Sequence, residues 1–308
     1  MTTNAIQSSH IYSTYFAPRG RSRIYTLGMQ IAQLYLSPFD QIIGFIGEAV
    51  SGKSVLIKGM FPGIELTNDD DGVNVRPLPL LEQEYETGFF TPHTYHLDIR
   101  FETGFHQLSE LADAVRLAVR RGKRIIIEHF DLIYPLLGVN ANLLIGVGEQ
   151  IVITRPNLFG PLPQELCDIV YPSLAYRLMA HSAEDLCEYA MTQEQMLACS
   201  HGDIRHGFVL EFNEHQPDID IPTLEARVNE LIRQDLPIDY YDESHILLGG
   251  AQHYCTGPRT HVRSTGRIIG FRLLDHFIYD HFHKTYMLVG CVGDDSEENI
   301  RKLETIHG

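Results

Sequence analysis

The sequence has no long apolar run. Among its 308 residues, no stretch reaches the roughly 18 consecutive apolar residues of a membrane-spanning helix. Residues 1–20 also lack the apolar centre of a secretory signal. We therefore expect a soluble, cytoplasmic protein that does not work at a membrane.

Cysteines are few and scattered. The chain has five of them, at Cys167, Cys187, Cys199, Cys255 and Cys291. An odd number, widely spaced in a long chain, argues against a disulfide framework and indicates a reducing compartment. Any cysteine with a special role is then a candidate metal ligand or nucleophile.

The chain has fewer basic than acidic residues. The chain has 24 Lys and Arg against 40 Asp and Glu, a formal charge of -16. Such a surface opposes non-specific binding to nucleic acid, because that binding depends on cations that displace counterions from phosphates. Only a local basic patch would bind RNA, and the arginines at 259, 263 and 267 form one in the sequence.

A phosphate-binding pattern follows the first strongly apolar segment. Residues 41–46 read as a buried strand, and Gly47-x-x-x-x-Gly52-Lys53-Ser54 comes directly after it, before a helix-compatible segment. The glycines allow several backbone N–H groups to point at one phosphate at the start of a helix. Lys53 would neutralise the β and γ phosphates, and Ser54 would bind Mg²⁺. ATP or another nucleoside triphosphate, with Mg²⁺, is the predicted ligand.

An acidic strand end completes this pattern. The run RIIIEHFD reads as a buried parallel strand with Glu128 at its carboxyl end, which is the edge where open α/β sheets bind ligands. Glu128 is therefore expected to hold the Mg²⁺ shell or orient water. Arg155 is either a further phosphate contact or a surface arginine.

The spacing of these segments resembles the uridine-kinase-like branch of P-loop kinases over about 130 residues. In that branch the acid after the second strand deprotonates the substrate hydroxyl, so the resemblance gives that role to Asp70 or its neighbours. The arginine-rich lid of such kinases has no obvious counterpart here. The alternatives are thus phosphorylation of a small molecule such as a nucleoside, NTP hydrolysis, and nucleotide sensing.

Chemistry-bearing residues in the second half lie on a helix and a turn. His181 and Asp185 are four apart on a predicted helix, so both project from one face. Cys255 and His261 flank a Gly-Pro turn. Between them come a Gly207-Phe208 strand, an amphipathic helix and the run DLPI. This order resembles the editing domain shared by threonyl- and alanyl-tRNA synthetases, the second additional domain, over residues 175–275.

The resemblance implies a Zn²⁺ site formed by His181, Asp185, Cys255 and His261. The chain departs from the family in having Asp185 at the second helix position and six residues, rather than four, from Cys255 to His261. His253 is a substitute ligand or a strand histidine that faces solvent. A metal-bound water would then attack an aminoacyl ester, with Arg259, Arg263 and Arg267 binding the tRNA acceptor end.

We therefore predict an α/β protein of two domains. Residues 1–172 form a P-loop NTPase-type domain with a parallel sheet, and residues 173–308 form an α+β, metal-binding, editing-like domain. Its predicted function is ATP binding combined with hydrolysis of an aminoacyl ester. The alternatives are a kinase whose second domain selects the substrate, and a non-catalytic binding protein controlled by nucleotide. His276, His281 and His283 are expected to be ordinary strand and loop histidines.

Overall fold

The computed structural model describes residues 12–64, 66, 93–213 and 215–307 of the chain. The chain divides into two compact units, one of residues 1–15 and 22–172 and the other of residues 16–21 and 173–308. Segment 16–21 therefore belongs to the second unit, although its place in the sequence predicts the first domain. The predicted α/β class is confirmed, because the protein combines helices with a mostly parallel sheet and with antiparallel sheets.

A six-stranded sheet forms the centre of the first unit. Its strands are β1 (Tyr12–Phe16), β2 (Ile42–Ile46), β3 (Thr94–Asp98), β4 (Arg124–Glu128), β5 (Leu143–Val147) and β6 (Gln150–Thr154). They lie in the order β1-β6-β5-β2-β4-β3. β2 is parallel to β4 and β5, β4 is parallel to β3, and β6 is antiparallel to β5. The carboxyl ends of β2, β3 and β4 therefore meet at one edge of the sheet.

Helices α1 to α5 belong mainly to the same unit. They are α1 (Arg21–Tyr35), α2 (Lys53–Met60), α3 (Ile99–Glu102), α4 (Leu108–Arg120) and α5 (Phe130–Leu137). The sequence explains α4 well, because its apolar residues recur at helical spacing and the Glu110 carboxylate accepts a hydrogen bond from the Gln107 amide at 3.0 Å. Residues 125–127 of β4 are fully buried isoleucines, as a strand covered on both faces requires.

The longest described helix, α6 (Pro163–Ala190), has 28 residues and continues through the boundary between the units. Cys167 and Val170 belong to the apolar core of the first unit, whereas Met179, Ala183 and Leu186 belong to that of the second. Among the described residues, no helix combines the length and the hydropathy of a membrane-spanning segment, and this includes α6.

Antiparallel strands dominate the rest of the second unit. Its helices are α7 (Gln193–Ala198), α8 (Ile221–Arg233) and α9 (Ser296–His307). Its strands are β7 (Cys199–Ile204), β8 (Gly207–Asn213), β9 (Ile238–Asp242), β10 (His245–Leu248), β11 (Ala251–Tyr254), β12 (Arg272–Leu273), β13 (Ile278–Asp280) and β14 (Thr285–Cys291). One sheet has the order β12-β14-β8-β7 with β13 on β14, and the other has the order β11-β10-β9. One apolar cluster joins α6 and α8 to β8 and β10.

Candidate functional site

The Gly47 to Ser54 loop connects β2 to α2, as the sequence pattern predicts. Gly47 has φ 155° and Gly52 has φ 87°, and both values favour glycine. A Cβ atom at Gly47 would lie 2.5 Å from the carbonyl oxygen of Val147. Val50 has φ 60°, an unfavourable conformation for a β-branched residue. The loop is therefore held in a tight, partly strained curve at the edge of the sheet.

Lys53 and Ser54 lie in the first turn of α2 and point toward Glu128. The Lys53 Nζ atom donates to the carbonyl oxygens of Gly47 at 2.9 Å and Glu48 at 2.8 Å, and it lies 3.8 Å from Glu128 Oε2. Ser54 Oγ donates to Glu128 Oε1 at 3.2 Å. Burial lowers the pKa of Lys53, although Glu128 opposes that shift. An amine, a hydroxyl and a carboxylate thus meet at the carboxyl end of β4.

The end of β3 adds a second carboxylate. Asp98 is opposite Glu128 in the parallel register, and the two residues form with His129 a buried group of possible metal ligands. His96 Nε2 lies 3.1 Å from Glu128 Oε1. Burial alone would raise the pKa of Glu128, but His96 and Lys53 outweigh it, so that pKa is lowered. Glu128 is therefore held ionised beside the loop.

Lys53, Asp98 and Glu128 line a cavity of about 260 Å³. At its wall, His129 has the left-handed φ of 56°, and its Nδ1 atom is buried without a hydrogen-bond partner among the described residues. Arg100 also lines the cavity and forms an ion pair with Glu48 at 3.0 Å. The lining residues include Ser51, Gly52, Lys53, Ser54, Asp98, Arg100, Phe101, Glu128 and His129.

One of the other residues predicted for this site, Arg155, lies elsewhere. Arg155 is buried and pairs with Asp40 through two contacts of 2.7 Å, so it is neither a surface arginine nor a lining residue of this cavity. The Arg155–Asp40 pair connects the segment just before β2 to the residue just after β6. Asp70 lies outside the described residues, and its role as a base stays a prediction. Asp98 is the acid that the structure places at the neighbouring strand end.

In the second unit, three of the four predicted zinc ligands come together. The ligand atoms of Asp185, Cys255 and His261 lie within 4.8 Å of one another. His261 Nε2 is 2.5 Å from Asp185 Oδ2 and 3.7 Å from Cys255 Sγ. Helix α6 supplies the carboxylate, and the turn after β11 supplies the thiol and the imidazole. Residues about 70 positions apart therefore form one buried polar cluster.

The guanidinium of Arg19 closes this cluster. Arg19 pairs with Glu184 and Asp185 and donates to Cys255 Sγ at 3.2 Å. The Gly257 amide donates to the same sulfur at 3.2 Å. Burial would raise the pKa of Cys255, but His261 and Arg19 outweigh it and lower that pKa to about 7. The sequence pattern gave no sign of Arg19, which lies 166 residues before Asp185.

His181 is not in any of the possible ligand groups found in the described ranges. Its Nε2 atom lies 3.6 Å from Asp203 Oδ1 on β7, and its buried Nδ1 atom has no hydrogen-bond partner among the residues described. Burial lowers the pKa of His181 to about 3, so this imidazole is neutral. It faces β7 instead of completing the set around Cys255.

Three of the four residues that the resemblance implies as zinc ligands thus lie together, and His181 lies apart from them. Asp185 and Cys255 already contact a cation, the Arg19 guanidinium, and a divalent ion beside it would be repelled. The expected set is therefore corrected at His181, and zinc at Asp185, Cys255 and His261 stays a prediction.

The remaining predicted residues of the second unit are mostly at the surface. Arg259, Arg263 and Arg267 are exposed, and Arg259 lies over the Tyr240 ring at 4.4 Å. His276 and His283 pair with the nearby Asp275 and Asp280, and no candidate metal group in the described ranges includes them. His253 is 7% exposed, so the expectation of a solvent-facing histidine is wrong.

No family model matches the chain, and no curated protein matches it in sequence.

Proposed function

We propose that the first unit binds ATP or another nucleoside triphosphate with Mg²⁺ and transfers the terminal phosphoryl group to water or to a small-molecule hydroxyl. The observation that carries this proposal is the 3.2 Å contact between Ser54 Oγ and Glu128 Oε1. It joins the first turn of α2 to the carboxyl end of the neighbouring strand, beside a buried lysine. Phosphoryl transfer depends on this combination of cation, hydroxyl and carboxylate.

Each group has a distinct role in the proposal. The backbone amides of residues 47–54 would bind the phosphates. The Lys53 amine would exchange its hydrogen bonds to the carbonyl oxygens of Gly47 and Glu48 for hydrogen bonds to phosphate. Ser54 and Glu128 would hold Mg²⁺, which supplies positive charge next to the phosphates. Asp98 now accepts a hydrogen bond from the Phe101 amide at 3.1 Å and would accept the proton of the attacking hydroxyl. The Nδ1 atom of His129 is a further polar group without a partner among the described residues.

Glu128→Gln tests this assignment. We expect the variant to lose about 100-fold or more in the rate of triphosphate cleavage, because a neutral amide holds Mg²⁺ and the developing charge poorly. Nucleotide affinity measured without Mg²⁺ should change little. The measurement is phosphate release and phosphorylation of candidate hydroxyl compounds, combined with a nucleotide titration by calorimetry.

Glu110→Gln is the matched control, since it makes the same change at the start of α4 and leaves a side chain that still caps the helix. If Glu128→Gln keeps the full rate, or if the wild-type protein binds no nucleoside triphosphate, the proposal is wrong. Phosphate release without any acceptor would assign NTP hydrolysis, and transfer to a hydroxyl would assign a kinase.

The second candidate function is hydrolysis of an aminoacyl ester, as on a misacylated tRNA, by the second unit. The convergence of Asp185, Cys255 and His261 favours it, because a thiol beside an imidazole is able to act on an acyl group. Arg259, Arg263 and Arg267 would bind the phosphates of the acceptor end. This proposal has no step through a zinc ion at Cys255.

A deacylation assay with misacylated tRNAs checks the second candidate. Cys255→Ser should lose at least about 100-fold in rate, since a hydroxyl is a weaker nucleophile than a thiol of low pKa. Lys53→Ala should keep the rate, because it changes only the first unit. Absence of deacylation by the wild-type protein across all tested tRNAs would rule the candidate out.

A further inference from the structure

A second polar cluster lies near the Arg19 group in the second unit. Glu188 of α6 and Cys199 and His201 of β7 have ligand atoms within 4.8 Å of one another. Cys199 and His201 are two residues apart on a strand, so their side chains project from the same face. His201 Nε2 contacts Glu188 Oε1 directly. A carboxylate, a thiol and an imidazole thus converge from two elements.

His253, from a third element, lies near the other oxygen of Glu188 and forms a separate group of possible ligands with Glu188 and Asp185. It lies on β11, where the neighbouring residues Gln252 and Tyr254 are exposed while His253 itself is 7% exposed. Its Nε2 atom is 3.8 Å from Glu188 Oε2 and has no hydrogen-bond partner among the described residues. A buried imidazole nitrogen without a partner is costly. A ligand between His253 and Glu188 would satisfy it.

The two clusters differ in the groups that contact their carboxylates: a guanidinium in the first and imidazoles in the second. Arg19 contacts Glu184, Asp185 and Cys255, and it supplies the positive charge of that set. The Glu188 carboxylate is contacted by imidazoles, at His201 and at the longer distance from His253. Metal binding would displace the protons of Cys199 and His201 to solvent, and the Glu188 set would then carry two negative charges, which balance a divalent ion.

We infer that the second unit binds a divalent transition metal of the Zn²⁺ class through Glu188, Cys199 and His201, whose ligand atoms lie together, and through His253, which would move onto the ion as the fourth ligand. One sulfur, two imidazole nitrogens and one carboxylate oxygen are the donors that Zn²⁺ takes in four-coordinate sites. The ligands come from α6, β7 and β11, so the ion would join three elements of the unit. His201 retains 24% exposure of its side chain, which gives the ion a route from solvent.

Metal analysis and cobalt substitution of the full-length protein test this inference. We expect about one Zn²⁺ per chain by elemental analysis, and a thiolate-to-cobalt charge-transfer band when Co²⁺ replaces Zn²⁺. Cys199→Ser should remove the band and most of the bound metal. Cys255→Ser is the matched control, since it changes the thiol of the Arg19 cluster and should leave both intact. His253→Ala should weaken metal affinity by about 10-fold or more, as expected for loss of one ligand.

The opposite result would overturn the inference. A cobalt band lost in Cys255→Ser and kept in Cys199→Ser would put the metal at the position that the synthetase resemblance implies. Wild-type protein that binds neither Zn²⁺ nor Co²⁺ would show that the four side chains form a polar network without metal. Circular dichroism of each variant shows whether a loss of metal accompanies a loss of fold, and His201→Gln, which keeps a polar side chain, provides a second ligand variant.

Discussion

Lys53→Ala is expected to reduce the affinity for nucleoside triphosphate by about 100-fold or more. Lys53 would make charge-assisted hydrogen bonds to phosphate, each worth about 1.5 to 3 kcal/mol, and each 1.4 kcal/mol corresponds to a factor of ten in affinity. The buried position of this side chain, 5% exposed, reduces screening by water and salt. Isothermal titration with ATP and GTP in the presence of Mg²⁺ measures the change.

Lys58→Ala is a suitable control, because it removes the same charge from the last turn of the same helix. It should bind nucleotide as the wild-type protein does. The metal content of Lys53→Ala should also equal that of the wild-type protein, since the proposed ligands belong to the second unit. Equal nucleotide affinity in Lys53→Ala and wild-type protein would mean that the loop does not bind phosphates.

The first unit was the more predictable part because its signals are local. The Gly47 to Ser54 pattern fixes a strand, a turn and a helix start within a few residues, and Glu128 follows from its place at the end of an apolar strand. The same reasoning applied to the TYHLD segment would have selected Asp98, which ends β3. The strand order β3-β4-β2, which brings Asp98 and Glu128 together, cannot be obtained from local spacing.

The second half was less predictable because its contacts are distant in sequence. The helical spacing of His181 and Asp185 correctly puts both on α6, but a helix face is wider than one metal site. Asp203 of β7 faces His181, whereas His261 contacts Asp185. Nothing near Arg19 in the sequence indicates a buried position. Its partners are 165 and more residues away, so only the tertiary structure reveals it.

Arg19→Met is expected to destabilise the second unit by about 3 to 5 kcal/mol, the usual cost of leaving buried charges without their partner. Arg19 is 2% exposed, and methionine keeps much of its apolar volume without the charge. Since the chain has no tryptophan, circular dichroism in urea and hydrogen exchange over residues 173–307 are the appropriate measurements. Arg21→Met is the control, because the Arg21–Glu243 pair is exposed and should contribute less than about 1 kcal/mol.

The destabilisation should also depend on pH. Burial raises the pKa of Glu184 even though Arg19 opposes that shift, and without Arg19 the shift should increase. A carboxyl whose pKa is raised by folding stabilises the folded state at low pH, and this contribution is lost as the pH rises. The difference between Arg19→Met and wild-type protein should therefore grow from pH 5 to pH 8. Equal stability of the two proteins at pH 8 would show that the guanidinium is not needed to balance Glu184 and Asp185.

Adding Zn²⁺ to Arg19→Met tests whether a bound metal ion can replace the positive charge of the Arg19 guanidinium. Without the guanidinium, Asp185, Cys255 and His261 keep their donors, and repulsion no longer opposes a divalent ion there. We expect a second equivalent of Zn²⁺ to bind and to restore part of the lost stability, and a further His261→Ala change to abolish that rescue. If the rescue persists without His261, the stabilising metal would instead lie at Glu188 and His253. The described contacts of the Arg19 side chain do not include these two residues.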